Sequence, residues 1–319
     1  MLCYNVPFAH ARGKPTSRNS QVGNSTRKMT IALASLVLLT MCTEARAWGP
    51  ATHVQLASDL LSNLWLLPAA LAALIARNRR FFVYGCVATD TVFAKKLSRI
   101  KQICHHWSTG FSLLDAAQTE AGKAFAYGYL SHLAADTVAH NKYLPRQMAV
   151  SRSTISFGHL YWEIRADSTI EPAHWRELRA ALRGEYPEAE QLLEDNLGRT
   201  LLSFRTNRVL FKRMNLLACE RGWRKSVSFW SALSRFDLDP GVLRAYHAES
   251  LERIVDVLSR GRASPVLYED PNGNAALGHA KVHRKLIRKM RRANMPHAHI
   301  IREAAFGHAP STSGVPALL

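Results

Sequence analysis

Two short stretches of the chain carry His, Asp and Glu residues at the spacing of successive helical turns. His132, Asp136 and His140 follow one another four residues apart, and His159 and Glu163 repeat that spacing. Side chains four residues apart lie above one another on the same face of an α-helix. Two such helices packed side by side would bring five imidazole and carboxylate groups together. These groups are ligands that zinc takes in proteins, so the pattern predicts a metal site.

The surroundings of these residues bear on whether they bind a metal. One His-x-x-x-Asp pair on a helix more often lies at the surface, so a single pair would not predict a site. His159 and Glu163, however, stand in an apolar and aromatic segment, where a buried charge needs a partner such as a metal ion. Upstream candidates are ambiguous one by one, because a lone histidine is usually packed or exposed and an aspartate can cap a helix. These upstream residues are His53, Asp90, His105 and His106.

Helical patterning dominates the chain that carries these residues. We find no alternating strand runs, no Gly-rich phosphate loop and no internal repeat, so the sequence predicts an all-α fold. The segment 142–156 contains Pro145 and a cluster of Ser, Thr and Arg, which indicates a connecting loop. The predicted helical segments are 53–79 with a break at Pro68, 112–140, 157–168, 173–235, 241–260 and 279–293.

The first 47 residues have the pattern of an export signal. Arg27-Lys28 forms a basic start, and Met29–Met41 is an apolar run too short to span a bilayer comfortably. Ala45-Arg46-Ala47 then offers the small-x-small pattern that signal peptidase cleaves. We therefore predict that residues 1–47 are a signal peptide with an N-terminal extension. The mature chain would begin at Trp48 and be exported to the periplasm or secreted.

Other interpretations of the N-terminus stay open. The apolar run could remain as an uncleaved anchor or a buried helix. A lipoprotein box ending at Cys42 is disfavoured, because Met41 stands where a small residue is expected. Three cysteines would remain after cleavage, an odd number that argues against a disulfide framework, although one bridge between Cys86 and Cys104 is allowed.

The chain is strongly basic, with a formal net charge of +18 over 319 residues. Such a balance favours contact with an anionic membrane surface or with nucleic acid, although a solvated basic surface explains it equally well. We assign residues 266–319 to a basic amphipathic helix over 279–293 and a disordered tail. The basic residues of this helix are Lys281, Arg284, Lys285, Arg288, Lys289, Arg291 and Arg292.

Taken in chain order, the motifs resemble those of the zinc-dependent phospholipase C family, whose fold is shared with the single-strand-specific zinc nucleases. The resemblance covers roughly residues 48–168 and predicts a multi-helical domain over 48–265. The matching pieces are Trp48-Gly-Pro-Ala-Thr-His53, Gly85-x-x-x-x-Asp90, His106-Trp107, Gly128-Tyr-Leu-Ser-His132-x-x-x-Asp136, His140, and His159-x-x-x-Glu163 followed by Asp167.

The resemblance implies three zinc ions. The amine and carbonyl of Trp48 would hold one zinc with His53, which requires cleavage just before Trp48. Of the neighbours His105 and His106, the second is preferred because the family's ligand precedes an aromatic residue. The second zinc would be bound by Asp90, His106 and His132, with Asp136 bridging to the first, and the third by His140, His159 and Glu163.

The function that follows is a zinc-dependent phosphodiester hydrolase, a phospholipase C that cleaves phospholipid head groups with zinc-activated water. Asp90 would orient or deprotonate that water. A single-strand nuclease is the alternative enzyme, and a nuclease would use aromatic platforms, for which Trp107, Tyr161 and Trp162 are the candidates. A non-enzymatic protein that binds anionic membranes through the helix 279–293 is the third interpretation.

Two departures from the family pattern leave the substrate open. Thr89 precedes Asp90 where the family commonly has proline. The step from Asp136 to His140 is four residues, as in the phospholipase D branch that acts on glycosylphosphatidylinositol, whereas many members have a longer step.

Overall fold

The structure is a computed structural model that describes residues 48–91, 103–151, 155–197, 203–234 and 236–310. Within these ranges the regular structure is helical throughout, which confirms the all-α prediction. The predicted signal peptide lies outside the described residues, as does the end of the predicted tail. The α-helices are α1 Pro50–Ser62, α2 Ala69–Arg77, α3 Arg79–Ala88, α4 Trp107–Ala116, α5 Glu120–Val138, α6 Leu144–Ser151, α7 Ile155–Asp167, α8 Pro172–Arg183, α9 Pro187–Leu197, α10 Phe204–Ala218, α11 Arg221–Ala232, α12 Pro240–Arg260, α13 Asn274–Arg292 and α14 Ala298–Gly307.

Helix α5 is the centre of the fold. The Thr119 hydroxyl accepts a hydrogen bond from Gly122 N and so caps its first turn, where Glu120 also complements the helix dipole. From Ala124 to Val138 nearly every side chain of α5 is buried, so neighbouring helices surround it. Ligands carried by this helix therefore lie in the interior of the protein, shielded from water.

Two glycines allow α3 to cross α5 in close contact. A Cβ atom on Gly85 would lie 2.1 Å from Phe125 O, and one on Gly128 would lie 2.1 Å from Phe82 O. Both clashes would be with backbone, which cannot move aside as a side chain does. The close crossing holds the last turn of α3 next to the residues that α5 presents.

The segment after α5 differs from the predicted loop over 142–156. A π-helical turn, Ala139–Tyr143, continues α5, and α6 follows from Leu144 without a break. Pro145 stands where π-helical hydrogen bonding passes into α-helical hydrogen bonding, and its missing N–H falls at this junction. The π turn is a structure that recurs at functional sites, and here it contains His140.

Helix α1 is held at its start by α7. Asp167, the last residue of α7, accepts hydrogen bonds from Ala51 N (3.1 Å), Thr52 N (3.0 Å) and Thr52 Oγ1 (2.7 Å). A side chain on Gly49 would collide with this carboxylate. The contact satisfies the free N–H groups at the helix start and fixes the entry of the chain at Trp48.

Trp48 is fully buried. Its ring stacks on Tyr143, with centroids 4.6 Å apart, and its Nε1 donates a hydrogen bond to Ser250 Oγ on α12 at 3.3 Å. The beginning of the described chain is thus anchored in the core between the π turn and α12.

The thiols and the hydropathy of the helices complete the description. Cys86, Cys104 and Cys219 are buried free thiols, so the Cys86–Cys104 bridge that the sequence allowed is not formed. Among the described helices, none combines the length and the apolar character needed to cross a membrane.

Candidate metal centre

The carboxylate of Asp136 is surrounded by four imidazole rings. Its Oδ1 lies 3.4 Å from His53 Nε2. Its Oδ2 lies 3.2 Å from His132 Nε2, 3.5 Å from His105 Nε2 and 3.8 Å from His140 Nδ1. All five side chains are buried, with at most 3% of their surface exposed. One carboxylate among four imidazoles is the arrangement expected of a ligand shared between metal ions.

Two groups of three donors come close enough to hold a metal ion. In one group His53, His132 and Asp136 offer ligand atoms within 4.8 Å of one another, and in the other Asp90, His105 and His132 do so. His105 Nε2 lies 3.3 Å from Asp90 Oδ1 and 3.2 Å from His132 Nε2. The two groups share His132, and His105 of the second group lies 3.5 Å from Asp136 of the first, so they form one cluster.

Backbone carbonyls orient two of the rings. His132 Nδ1 lies 2.8 Å from Cys86 O at the end of α3, and His140 Nδ1 lies 2.6 Å from Pro271 O. A ring that donates its Nδ1–H to a carbonyl presents the lone pair of Nε2 as a metal ligand. The close crossing of α3 and α5 thus serves the site, because it supplies the Cys86 carbonyl.

Several donor atoms of the cluster are buried without a hydrogen-bond partner among the described residues. They include His53 Nε2, His140 Nε2 and Asp136 Oδ1. Buried polar atoms are nearly always satisfied, and leaving one unpaired costs about 1–3 kcal/mol. Nitrogen and carboxylate oxygen donors in this condition fit zinc, which would satisfy each of them.

The residues predicted for a third zinc also lie close to the cluster. The rings of His140 and His159 meet edge to face, with centroids 5.5 Å apart. Glu163 stands one turn after His159 on α7 and is 7% exposed. The structure therefore brings His159 on α7 next to His140 in the π turn that continues α5.

His105 rather than His106 enters the cluster, which differs from the preference drawn from the sequence. His106 is exposed, and its Nδ1 accepts a hydrogen bond from Ser108 N and contacts Ser108 Oγ at 2.7 Å. His106 is thus the N-cap of α4. His105 ends the 3₁₀ turn Ile103–His105, and its ring points inward, so that only 2% of the residue is exposed.

Sequence reasoning missed His247 on α12. This ring meets the edge of Trp48, with centroids 5.1 Å apart, and its Nε2 has no hydrogen-bond partner among the described residues. Burial, together with nearby His53, lowers the pKa of His247 to about 4. A lone histidine far along the chain from the two rows carries no local pattern by which the sequence could have assigned it.

The charges of the cluster match those of metal ligands. Burial, then the neighbouring His132, lowers the pKa of His53, so this ring is neutral at neutral pH. Burial would lower the pKa of His132, but the Asp136 and Asp90 carboxylates outweigh it and raise that pKa. Burial would raise the pKa of Asp136, but His132 and His140 hold it well below its usual range. Asp136 is therefore ionised and ready to bind a cation.

A cavity of about 630 Å³ lies between the start of α4 and the segment 267–274, and no residue of the cluster lines it. Its lining includes the segment 267–272, which also supports the ligands, because Pro271 O binds His140 and Asn272 Nδ2 donates to His105 O at 2.9 Å. Gly273 has a positive φ of 59°, and a side chain there would collide with the backbone of His140. The cavity wall and the ligand set are thus held by the same turn.

A helical fold with a buried cluster of histidine and carboxylate donors defines a metalloprotein whose ligands suit zinc. Residues 52–201 match the family model described as zinc dependent phospholipase C. The matched segment contains every residue of the cluster and the row on α7. This match and the His/Asp cluster support a zinc-dependent phosphodiester hydrolase. No curated protein and no solved structure matches the chain.

Proposed function

We propose that the protein is an exported phospholipase C that cleaves phospholipid head groups at a centre of three zinc ions. The observation that carries the proposal is Asp136, buried and ionised among the rings of four histidines. A phospholipid is favoured as substrate because the family is one of phospholipases.

The residues divide into three sets of ligands. His53 and Asp136 would hold one zinc, completed by the amine of Trp48 once the chain is cleaved before it. Asp90, His105 and His132 would hold the second, and His140, His159 and Glu163 the third. When bound, zinc would lower the pKa of a water molecule towards about 7 and neutralise the phosphate oxygens.

The chain's own groups prepare the site for this chemistry. The carbonyls of Cys86 and Pro271 fix the rings of His132 and His140, so the ligands need no rearrangement when a metal arrives. Asp90, with Oδ1 3.3 Å from His105 Nε2, is the carboxylate proposed to orient the attacking water or accept its proton.

The nuclease alternative finds less support. Trp162 is fully buried, so its ring is closed to a stacking base. Trp107 lines the cavity but is only 9% exposed, and its Nε1 donates a hydrogen bond to Glu269 O at 2.9 Å. Tyr161 is half-buried, and its hydroxyl bonds with Ser234 and Arg165. All three platforms suggested by the sequence are therefore used in packing.

Three substrates assayed side by side test the proposal: phosphatidylcholine, phosphatidylinositol and single-stranded DNA. We expect release of a phosphorylated head group from a phospholipid and no cleavage of DNA. Removal of zinc with a chelator should abolish the activity, and added zinc should restore it. Cleavage of DNA alone would reverse the choice between the two enzymes.

Export and cleavage rest on the sequence pattern before Trp48. The mass of the mature protein tests them, because cleavage after Ala47 would make Trp48 the first residue. Retention of residues 29–47 would remove the Trp48 amine from the ligands and leave His53 and Asp136 to hold the first zinc without it.

A further inference from the structure

Helix α11, Arg221–Ala232, lies on the protein without burying any of its residues. Its apolar side chains point outward instead. Phe229 is 61% exposed, Trp230 70% and Leu233, which follows the helix, 63%. Phe229 and Leu233 stand four residues apart and Trp230 lies beside them, so they share one outward face. We call Phe229, Trp230 and Leu233 the apolar face of α11.

On their inner side, α11 and the residues that follow it form polar contacts with α7 and with Ser168 just after it. Ser231 Oγ lies 3.4 Å from Ser168 Oγ, and Ser234 Oγ bonds with the hydroxyl of Tyr161. Arg165 Nη1 donates to the carbonyl of Phe236 at 3.0 Å. Because polar contacts hold the inner side, the outward direction of the aromatic rings is fixed by the fold.

An apolar surface of this kind is uncommon on a protein that contacts only water. Large exposed apolar patches with polar rims mark surfaces that meet a protein or a membrane. The exposed Leu217, 60% exposed at the end of α10, lies a few residues before α11 and adds to the apolar surface of this part of the chain.

The charge around the face selects the partner. Between Ser203 and Ser234 the chain has seven basic residues and one acidic residue, and two of the basic ones, Arg208 and Lys212, pair with Glu190. Arg221 and Lys225 are exposed and stand eight and four residues before Phe229, so they form a basic rim on its side of α11. A second copy of the chain would bring the same basic rim against itself, which like charges oppose. An anionic bilayer complements it, and an interfacial helix typically has Trp, Phe and Leu on one face with Lys and Arg beside them. The basic residues are Arg205, Arg208, Lys212, Arg213, Arg221, Arg224 and Lys225, and the acidic one is Glu220.

We propose that the apolar face of α11 docks the protein on an anionic phospholipid bilayer, with Phe229, Trp230 and Leu233 entering the interface. This deepens the proposed function, because it names the surface through which the enzyme meets its substrate. Ser168, just after α7, contacts Ser231 of α11, and Tyr161 and Arg165 of α7 contact the residues that follow α11. By helical spacing, these three residues lie on a different side of α7 from His159 and Glu163. Docking and metal binding therefore use separate residues.

The test measures binding rather than hydrolysis, so it remains informative if phospholipids are not cleaved. The zinc-loaded mature protein is sedimented with sucrose-filled vesicles of equal parts phosphatidylcholine and phosphatidylglycerol. The double variant Phe229→Ser/Trp230→Ser should bind at least about tenfold more weakly than the unchanged protein. Trp65→Ser is the matched control, because Trp65 is also 70% exposed but belongs to a separate turn, and it should bind normally.

The role of the basic residues is tested by comparing these anionic vesicles with vesicles of phosphatidylcholine alone. Arg221→Gln/Lys225→Gln should weaken binding to the anionic vesicles and have less effect on vesicles of phosphatidylcholine alone. Circular dichroism and zinc content establish that each variant is folded. Equal binding by Phe229→Ser/Trp230→Ser and Trp65→Ser would overturn the proposal. So would a dimer in solution that the double variant abolishes, if no protein sediments with vesicles.

Discussion

Replacing the neighbouring histidines one at a time separates a metal ligand from a helix cap. In His105→Ala the second donor group loses the ring whose Nε2 lies 3.3 Å from Asp90 and 3.2 Å from His132. In His106→Ala the cluster is untouched, and α4 loses the N-cap that accepts from Ser108 N. The two variants have the same composition and adjacent positions, so each is the control of the other.

The expected magnitudes differ widely. A structural zinc with four ligands contributes about 10–16 kcal/mol, or about 3 kcal/mol for each ligand. Loss of His105 should therefore weaken binding of one zinc by about 100-fold. Loss of the cap should cost roughly 1 kcal/mol of folding free energy and leave zinc binding unchanged. His106→Asn should recover most of that stability, because asparagine is also a good N-cap.

Zinc content and stability report the two effects independently. After dialysis against buffered zinc, His105→Ala should retain one zinc fewer per chain than the unchanged protein and lose most of its hydrolytic activity. His106→Ala should retain all its zinc and unfold at a slightly lower urea concentration. The reverse pattern, with zinc lost from His106→Ala and kept by His105→Ala, would refute the placement of His105 in the cluster.

Three further predictions concern the helix crossing, the proposed base and the effect of pH. Gly128→Ala should lower the free energy of unfolding in urea by about 3 kcal/mol, because its Cβ would meet Phe82 O. Gly278→Ala, where a Cβ has nothing within 4 Å, is the control and should be neutral or stabilising. Asp90→Asn, assayed with zinc in excess so that the second site stays occupied, should reduce turnover by at least about 100-fold, and normal turnover would exclude Asp90 as the base. Zinc affinity measured by competition with a chelator should fall as the pH is lowered from about 7 to about 5, because a proton on His132, whose pKa is raised, competes with the metal. Above that raised pKa the affinity should level off, and a constant affinity across this range would contradict the assignment of His132 as a ligand.

The two rows of ligands were predictable because their pattern is local. A four-residue spacing on a helix fixes a common face whatever the rest of the chain does, so His132, Asp136 and His140 could be read together. The pairing of this row with His159 and Glu163 required two helices to pack, and the structure places the ring of His159 edge to face with that of His140. The all-α class followed from periodicity in the same way.

The local sequence could not decide whether His105 or His106 enters the cluster. The two residues are adjacent, and the direction of each ring depends on where the 3₁₀ turn ends and α4 begins. Sequence patterns place helix ends to within a few residues, which is too coarse to orient neighbouring side chains. The loop predicted over 142–156 was wrong for a related reason. Proline usually ends a helix, but Pro145 stands where the π turn passes into α6.

The turn 270–273 sets a lower limit on the length of a functional truncation. A chain ended at residue 265 would keep all the proposed metal ligands. It would lose Pro271, whose carbonyl fixes His140, and Asn272, whose amide holds the backbone of His105. The ring of His140 would lose the carbonyl that orients it, the backbone of His105 would lose its anchor, and the space beside His140 that Gly273 fills would admit water. The minimal catalytic unit therefore extends through Gly273, well beyond the last ligand in the sequence.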